Sequence, residues 1–249
     1  MGPLLRRVKM DLLGLPATFD EVREFVADPD PSAYERLIER YLDSPHYGER
    51  WGRHWLDIAR YADTKGYVFQ EERKYPFAFT YRDWVISRLN DDLPYDAFIE
   101  RQLAADLLVK QGLDRSELAA MGFLTLGRRF LNNIHDIIDD RLDVSIRGVM
   151  GLTIGCARCH DHKFDPIPAL DYYALHGVFA SSEEPKDAPD AMVLMDREQP
   201  HDSHVLLRGQ PGNPGPLAKR QFLEVVAGPE RKPFTQGSGR LELARAITA

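Results

Sequence analysis

Apolar residues recur at intervals of three and four along the first two-thirds of the chain, the spacing of helices that each bury one face. Thr18-Phe19-Asp20-Glu21 and Ser32-Ala33-Tyr34-Glu35 each read as a capping box, in which a hydroxyl accepts from a backbone N–H and a Glu reaches back. Asp28-Pro29-Asp30-Pro31 breaks the chain between them. Ser44-Pro45 predicts a third start, with Ser as cap and Pro at the first helical position. On the helix that follows, to about Ala62, the spacing of Tyr47, Trp51, Trp55 and Ile58 predicts the buried stripe. Arg50, Arg53 and Arg60 fall opposite, toward solvent or toward Asp57 and Asp63. Residues 63–80, with Gly66 and Pro76, predict a long ordered loop, and Tyr81, Trp84, Val85 and Leu89 a short helix. Pro94 separates that helix from one running from about Tyr95 to Val109. A helical piece is expected from Ser116 to Gly122, a longer helix opening at Asn133, and another from Ala169 to about Phe179.

The pattern changes at Ser181. Proline and glycine become frequent, and two short strand signals appear, Val193-Leu194-Met195 and His204-Val205-Leu206-Leu207. The expected fold is therefore mainly α: an irregular multi-helix domain with long loops over residues 1–183, then a short Pro/Gly-rich region with a few β-strands over 184–249. Residues 239–249 predict a helix start with no C-cap, so the chain reads as a fragment of a longer protein.

Composition narrows the function. Lys and Arg total 32 against 39 Asp and Glu, a net charge of −7, which excludes a broad nucleic-acid face and a polybasic membrane anchor. No apolar run is long enough for a membrane span. The first residues lack the apolar stretch of a signal peptide.

There are two cysteines, three residues apart, and they form Cys156-Ala157-Arg158-Cys159-His160. In C-x-x-C-H the two thiols can add to the two vinyl groups of haem, and the adjacent imidazole can ligate the iron. Cys156, Cys159 and His160 are thus the candidate haem c residues. Zinc is the alternative: Cys156, Cys159, His160 and His162 offer four N/S donors, and His201-x-x-His204 could supply a second pair. A thioredoxin-like redox pair would need a strand before it, and this neighbourhood is helical. Asp161-His162-Lys163-Phe164-Asp165 adjoins the motif. Asp161, His162 and Asp165 are candidates to tune an iron or to bind an ion, or else they belong to a charged loop with internal ion pairs. A sixth iron ligand is open among Met150, Met195, His135, His176 and His54. Tyr47, Trp51, Trp55 and Tyr61 are read as core rather than as a cofactor pocket.

Several segments together resemble one family. They are Arg6-Arg7 with Met10-Asp11-Leu12-Leu13-Gly14-Leu15-Pro16, Tyr47-Gly48-Glu49-Arg50-Trp51 with His54-Trp55-Leu56-Asp57, and Ala59-Arg60-Tyr61-Ala62-Asp63. Tyr81-Arg82-Asp83-Trp84-Val85, Gln102-Leu103-Ala104-Ala105-Asp106-Leu107-Leu108 and the run from Cys156 to Pro166 extend the match. The pattern is similar to the planctomycete cytochrome-like domain family, second type, over about residues 4–183. His204 to Gly209 and Ser238 to Leu241 resemble the start of the planctomycete domain that usually follows it. The resemblance implies a cytochrome-like role for Cys156, Cys159 and His160, and an extracytoplasmic parent protein with further domains. It leaves the redox partner, the substrate and any enzymatic activity unspecified. Three functions are therefore weighed: a haem c module in electron transfer or haem-linked oxidation, a zinc-binding domain of a degradative hydrolase, or a non-catalytic surface module stabilised by metal.

Overall fold

The computed structural model describes residues 2–64, 75–185 and 191–249. It is mainly α, with eleven α-helices and two small two-stranded sheets among the described residues. No helix among them is long and apolar enough to cross a membrane. Most of the loop expected over 63–80 lies outside the described residues, and Ala78 to Thr80 already belong to a helix.

The chain forms two compact units. The first holds Met1–Asp57 and Arg82–Pro94. Its helices are α1 (Gly2–Leu13), α2 (Phe19–Ala27), α3 (Ala33–Leu42), most of α4 (Pro45–Ile58) and most of α5 (Ala78–Asn90). Leu5, Leu13, Phe25, Leu37 and Tyr41 form its apolar centre. The Thr18 box is present: Oγ1 accepts from the Glu21 N–H at 3.2 Å, and Glu21 accepts from the Thr18 N–H at 2.6 Å. Glu21 also takes the buried Lys9 ammonium at 2.7 Å, tying α1 to α2.

The second box does not form. The Ser32 hydroxyl bonds Asp30 and Arg36 instead, because Asp30 sits two residues away and wins the local competition for it. The stripe on α4 also differs from the expectation. Trp51 and Ile58 are each 40% exposed, and the residues buried on α4 are Gly48 and Gly52. A Cβ at Gly48 would lie 2.3 Å from the Ile86 carbonyl oxygen, so the lack of side chains lets α4 approach α5 closely.

The second unit holds Ile58–Tyr81 and Tyr95–Ala249. It contains α6 (Tyr95–Lys110), α7 (Gly122–Thr125), α8 (Ile134–Met150), α9 (Ala169–Ala180), α10 (Glu224–Ala227) and α11 (Arg240–Thr248). A 3-10 turn spans Arg115–Met121. β1 (Ser182–Glu183) pairs antiparallel with β2 (Met195–Asp196). β3 (Ser203–Leu206) pairs antiparallel with β4 (Pro214–Ala218), with a register shift between His204 and Leu206. Residues 191–249 pack into this unit: Leu194, Leu223, Leu241 and Leu243 are buried. Arg240, fully buried on α11, meets Asp106 of α6 at 2.8 Å and Asp196 of β2 at 2.7 Å. Arg60 finds its partner in Asp140 of α8 at 2.8 Å, rather than in Asp57 or Asp63.

Candidate cofactor-attachment site

Asn133 opens α8 by accepting from the His135 N–H, and Gly151 closes it at φ 73°, a left-handed turn that suits glycine. The chain then drops Ile154 into the core and makes a 3-10 turn over Gly155–Arg158. The two residues between the cysteines act as anchors. Ala157 is fully buried, and the Arg158 guanidinium meets Asp136 on α8 at 2.7 Å. The Arg158 carbonyl accepts from the Tyr173 hydroxyl of α9 at 2.8 Å.

With Ala157 and Arg158 held inward, the cysteines are left outward. Both thiols are free and exposed. The Cys159 N–H donates to the Cys156 carbonyl at 3.3 Å, closing one turn. Cys156 lies within the turn and Cys159 caps its end, so one short turn carries both thiols. Gly209, at φ 69°, packs on this turn. A Cβ there would stand 2.7 Å from the Cys159 sulfur, so only glycine leaves that sulfur room.

His160 is exposed, and its Nδ1 lies 2.8 Å from the Asp161 carbonyl oxygen. A carbonyl only accepts, so the proton is on Nδ1 and the lone pair is on Nε2. That pose is the usual one for a ligating imidazole, since the bond to the carbonyl orients the ring and raises its basicity.

The next residues close a loop. His162 Nδ1 accepts from the Phe164 and Asp165 N–H groups at 3.1 and 2.7 Å, which puts the proton on Nε2. That nitrogen stands 3.1 Å from the Thr153 hydroxyl, which in turn donates to Asp165. The bonds from the Thr153 hydroxyl and N–H hold the Asp165 carboxyl below the usual carboxylate range. Asp161 accepts from the Ala169 N–H at 2.7 Å and so helps start α9. Lys163 lies over the exposed Phe164 ring, 5.1 Å from its centroid. The structure thus gives His162, Asp161 and Asp165 bonds that shape the loop. Among the described residues no three His, Cys, Asp or Glu side chains are grouped so as to hold a metal ion.

The donor set fits a thioether-linked porphyrin in kind: two free thiols on one turn, then an imidazole with an open Nε2. Arg158, Tyr173, Thr153 and Gly209 hold this segment in place. None carries a sequence signal for that role, because each acts through a partner distant in the chain. Of the other histidines and methionines considered for iron, His135 and His176 stack on each other at 5.8 Å between centroids. His54 lies against Trp51 in the first unit, the rings tilted by 54°.

No curated protein and no solved structure is significantly similar to the chain. Residues 2–184 match the family PSCyt2, described as a protein of unknown function (DUF1549). The match spans well over half of the chain and ends beside the change in sequence character near residue 183, so the chain belongs to the PSCyt2 family.

Proposed function

We propose that this chain is a c-type haem-binding module of a larger extracytoplasmic protein, serving electron transfer or haem-linked oxidation. One observation carries this reading: the exposed turn that carries the free Cys156 and Cys159, next to His160 whose Nδ1 is taken by the Asp161 carbonyl. Each S–H would add across one vinyl C=C, sulfur to one carbon and hydrogen to the other. Bound haem supplies one-electron chemistry at iron. The chain's own contribution is positional. Ala157 and Arg158 fix the turn, the Asp161 carbonyl orients His160, and the His162–Thr153–Asp165 bonds keep the following loop in shape. Because the thiols stand on the surface, a further domain or a redox partner is the expected cover for the group.

The test is expression of the chain alongside haem-maturation machinery, followed by acid-acetone extraction. The proposal expects a Soret band retained with the protein, lost in Cys156→Ala/Cys159→Ala, and a shifted visible spectrum in His160→Ala. A folded wild-type chain that retains no band would overturn it. So would stoichiometric zinc by elemental analysis in place of haem.

A further inference from the structure

A cleft lies in the same compact unit, formed by α8, α9 and the β3–β4 hairpin, with a volume of about 410 Å³. Ile134, Ile138, Leu206 and Pro214 give it apolar walls. His135, His176, His201, His204 and Arg197 also line it. Its one acidic residue, Asp202, is already engaged by Arg220, through the side chain at 3.1 Å and the N–H at 3.0 Å. The lining is therefore apolar, with one permanent cation, Arg197, and four imidazoles.

Two of these rings carry unused capacity. His176 is 7% exposed, and its Nδ1 pairs with Ser203 at 2.9 Å while its Nε2 is buried with no partner. His135, stacked on it, has a buried Nδ1 that is likewise unpaired. Buried polar groups are nearly always satisfied, so two vacant ring nitrogens in one cleft wall call for an explanation. Arg197 is the one permanent cation of the lining; its Nε donates to the Ser182 carbonyl at 3.4 Å, and Glu183 is 4.0 Å away. Mostly apolar walls with a few placed polar groups, at this volume, are the ordinary build of a small-molecule site.

We infer that this cleft binds a small organic carboxylate, its anionic end toward Arg197 and the imidazoles and its hydrocarbon body against Ile134, Ile138, Leu206 and Pro214. A cationic ligand would meet no free carboxylate there. No residue of the cysteine turn lines the cleft, and this inference does not rest on the haem proposal.

The probe is benzoate, with benzamide as its uncharged match and inorganic phosphate as an anion without a hydrocarbon body. Binding to the full chain is followed by the side-chain ¹H–¹⁵N signals of the histidines. Benzoate is expected to shift His135 and His176, with benzamide and phosphate binding more weakly. Arg197→Gln, an exposed change that leaves the core intact, is expected to weaken benzoate about tenfold. His176→Phe, which fills the wall without the ring nitrogens, is expected to weaken it as well. Equal binding of benzamide overturns the inference, as does phosphate binding as well as benzoate. Unmoved histidine signals at saturating millimolar benzoate, or unchanged affinity in Arg197→Gln, overturn it too.

Discussion

Replacing Arg240 by Met keeps the length of the stem and removes the charge. Arg240 is fully buried and grips both oxygens of Asp106 at 2.8 Å, with a third bond to Asp196 at 2.7 Å and a fourth to the Leu103 carbonyl at 3.1 Å. Asp106 keeps only 4% of its side-chain exposure, so the substitution would leave its carboxylate buried without its cation. Asp196 fares better, since Ser238 still donates to it through its N–H and hydroxyl. Breaking a buried pair from one side costs about 3–5 kcal/mol, a large part of the roughly 5–15 kcal/mol that holds a typical domain folded. Removing both charges with Arg240→Met/Asp106→Leu relieves the orphaned carboxylate and is expected to restore most of that loss. The exposed Arg147–Asp143 pair on α8 is the control, with Arg147→Met costing about 0.3–0.5 kcal/mol. The assay has to read the second unit. All three tryptophans, Trp51, Trp55 and Trp84, belong to the first, so fluorescence would report the wrong one. Amide hydrogen exchange in α6 and α11 under increasing urea reads the right one. A loss below about 1 kcal/mol in Arg240→Met, or a double variant no more stable than the single, would refute this account.

In the first unit, Gly48→Ala tests the glycine contact between α4 and α5. At an exposed helical position this change stabilises by about 1 kcal/mol. Here the new Cβ would meet the Ile86 carbonyl at 2.3 Å and disturb the Gly48 N–H bond to Asn90 at 2.7 Å, so a net loss of about 2 kcal/mol is expected by tryptophan-monitored urea unfolding. A neutral or stabilising result would show that the helices can part without penalty. The third prediction concerns acid. Burial, then the nearby His135, Arg158 and His201, lower His176 to about 3 from an ordinary 6.5. Between those values the unfolded chain binds a proton that the folded chain does not, so stability rises with pH up to about 6.5 and falls as pH drops below it. The expected slope is up to about 1.4 kcal/mol per pH unit from this one group. His176→Gln should flatten the urea-midpoint profile between pH 6 and 4, and an unchanged slope would remove His176 as its source.

The local sequence determined the mainly helical class, several helix ends and the cysteine motif. Thr18, Pro45 and Asn133 start helices, and Gly151 stops one, through bonds or conformations that reach no further than four residues. The thiols and imidazole at 156–160 are legible for the same reason, since their spacing is itself the signal. Only the tertiary structure decided which faces are covered and what each polar group serves. Gly48 and Gly52, not Trp51, are buried on α4 because Ile86 comes to meet them there. Arg60 pairs with Asp140, eighty residues on, and the tail joins the second unit through Arg240 and Asp106. His162, Asp161 and Asp165 carry the residue types of a metal site, and the fold gives each a local bond: His162 with the Phe164 and Asp165 N–H groups and Thr153, Asp165 with Thr153, and Asp161 with the start of α9. Burial and hydrogen-bond choice are settled by groups brought close in space, and the spacing of residues along a chain holds no record of that.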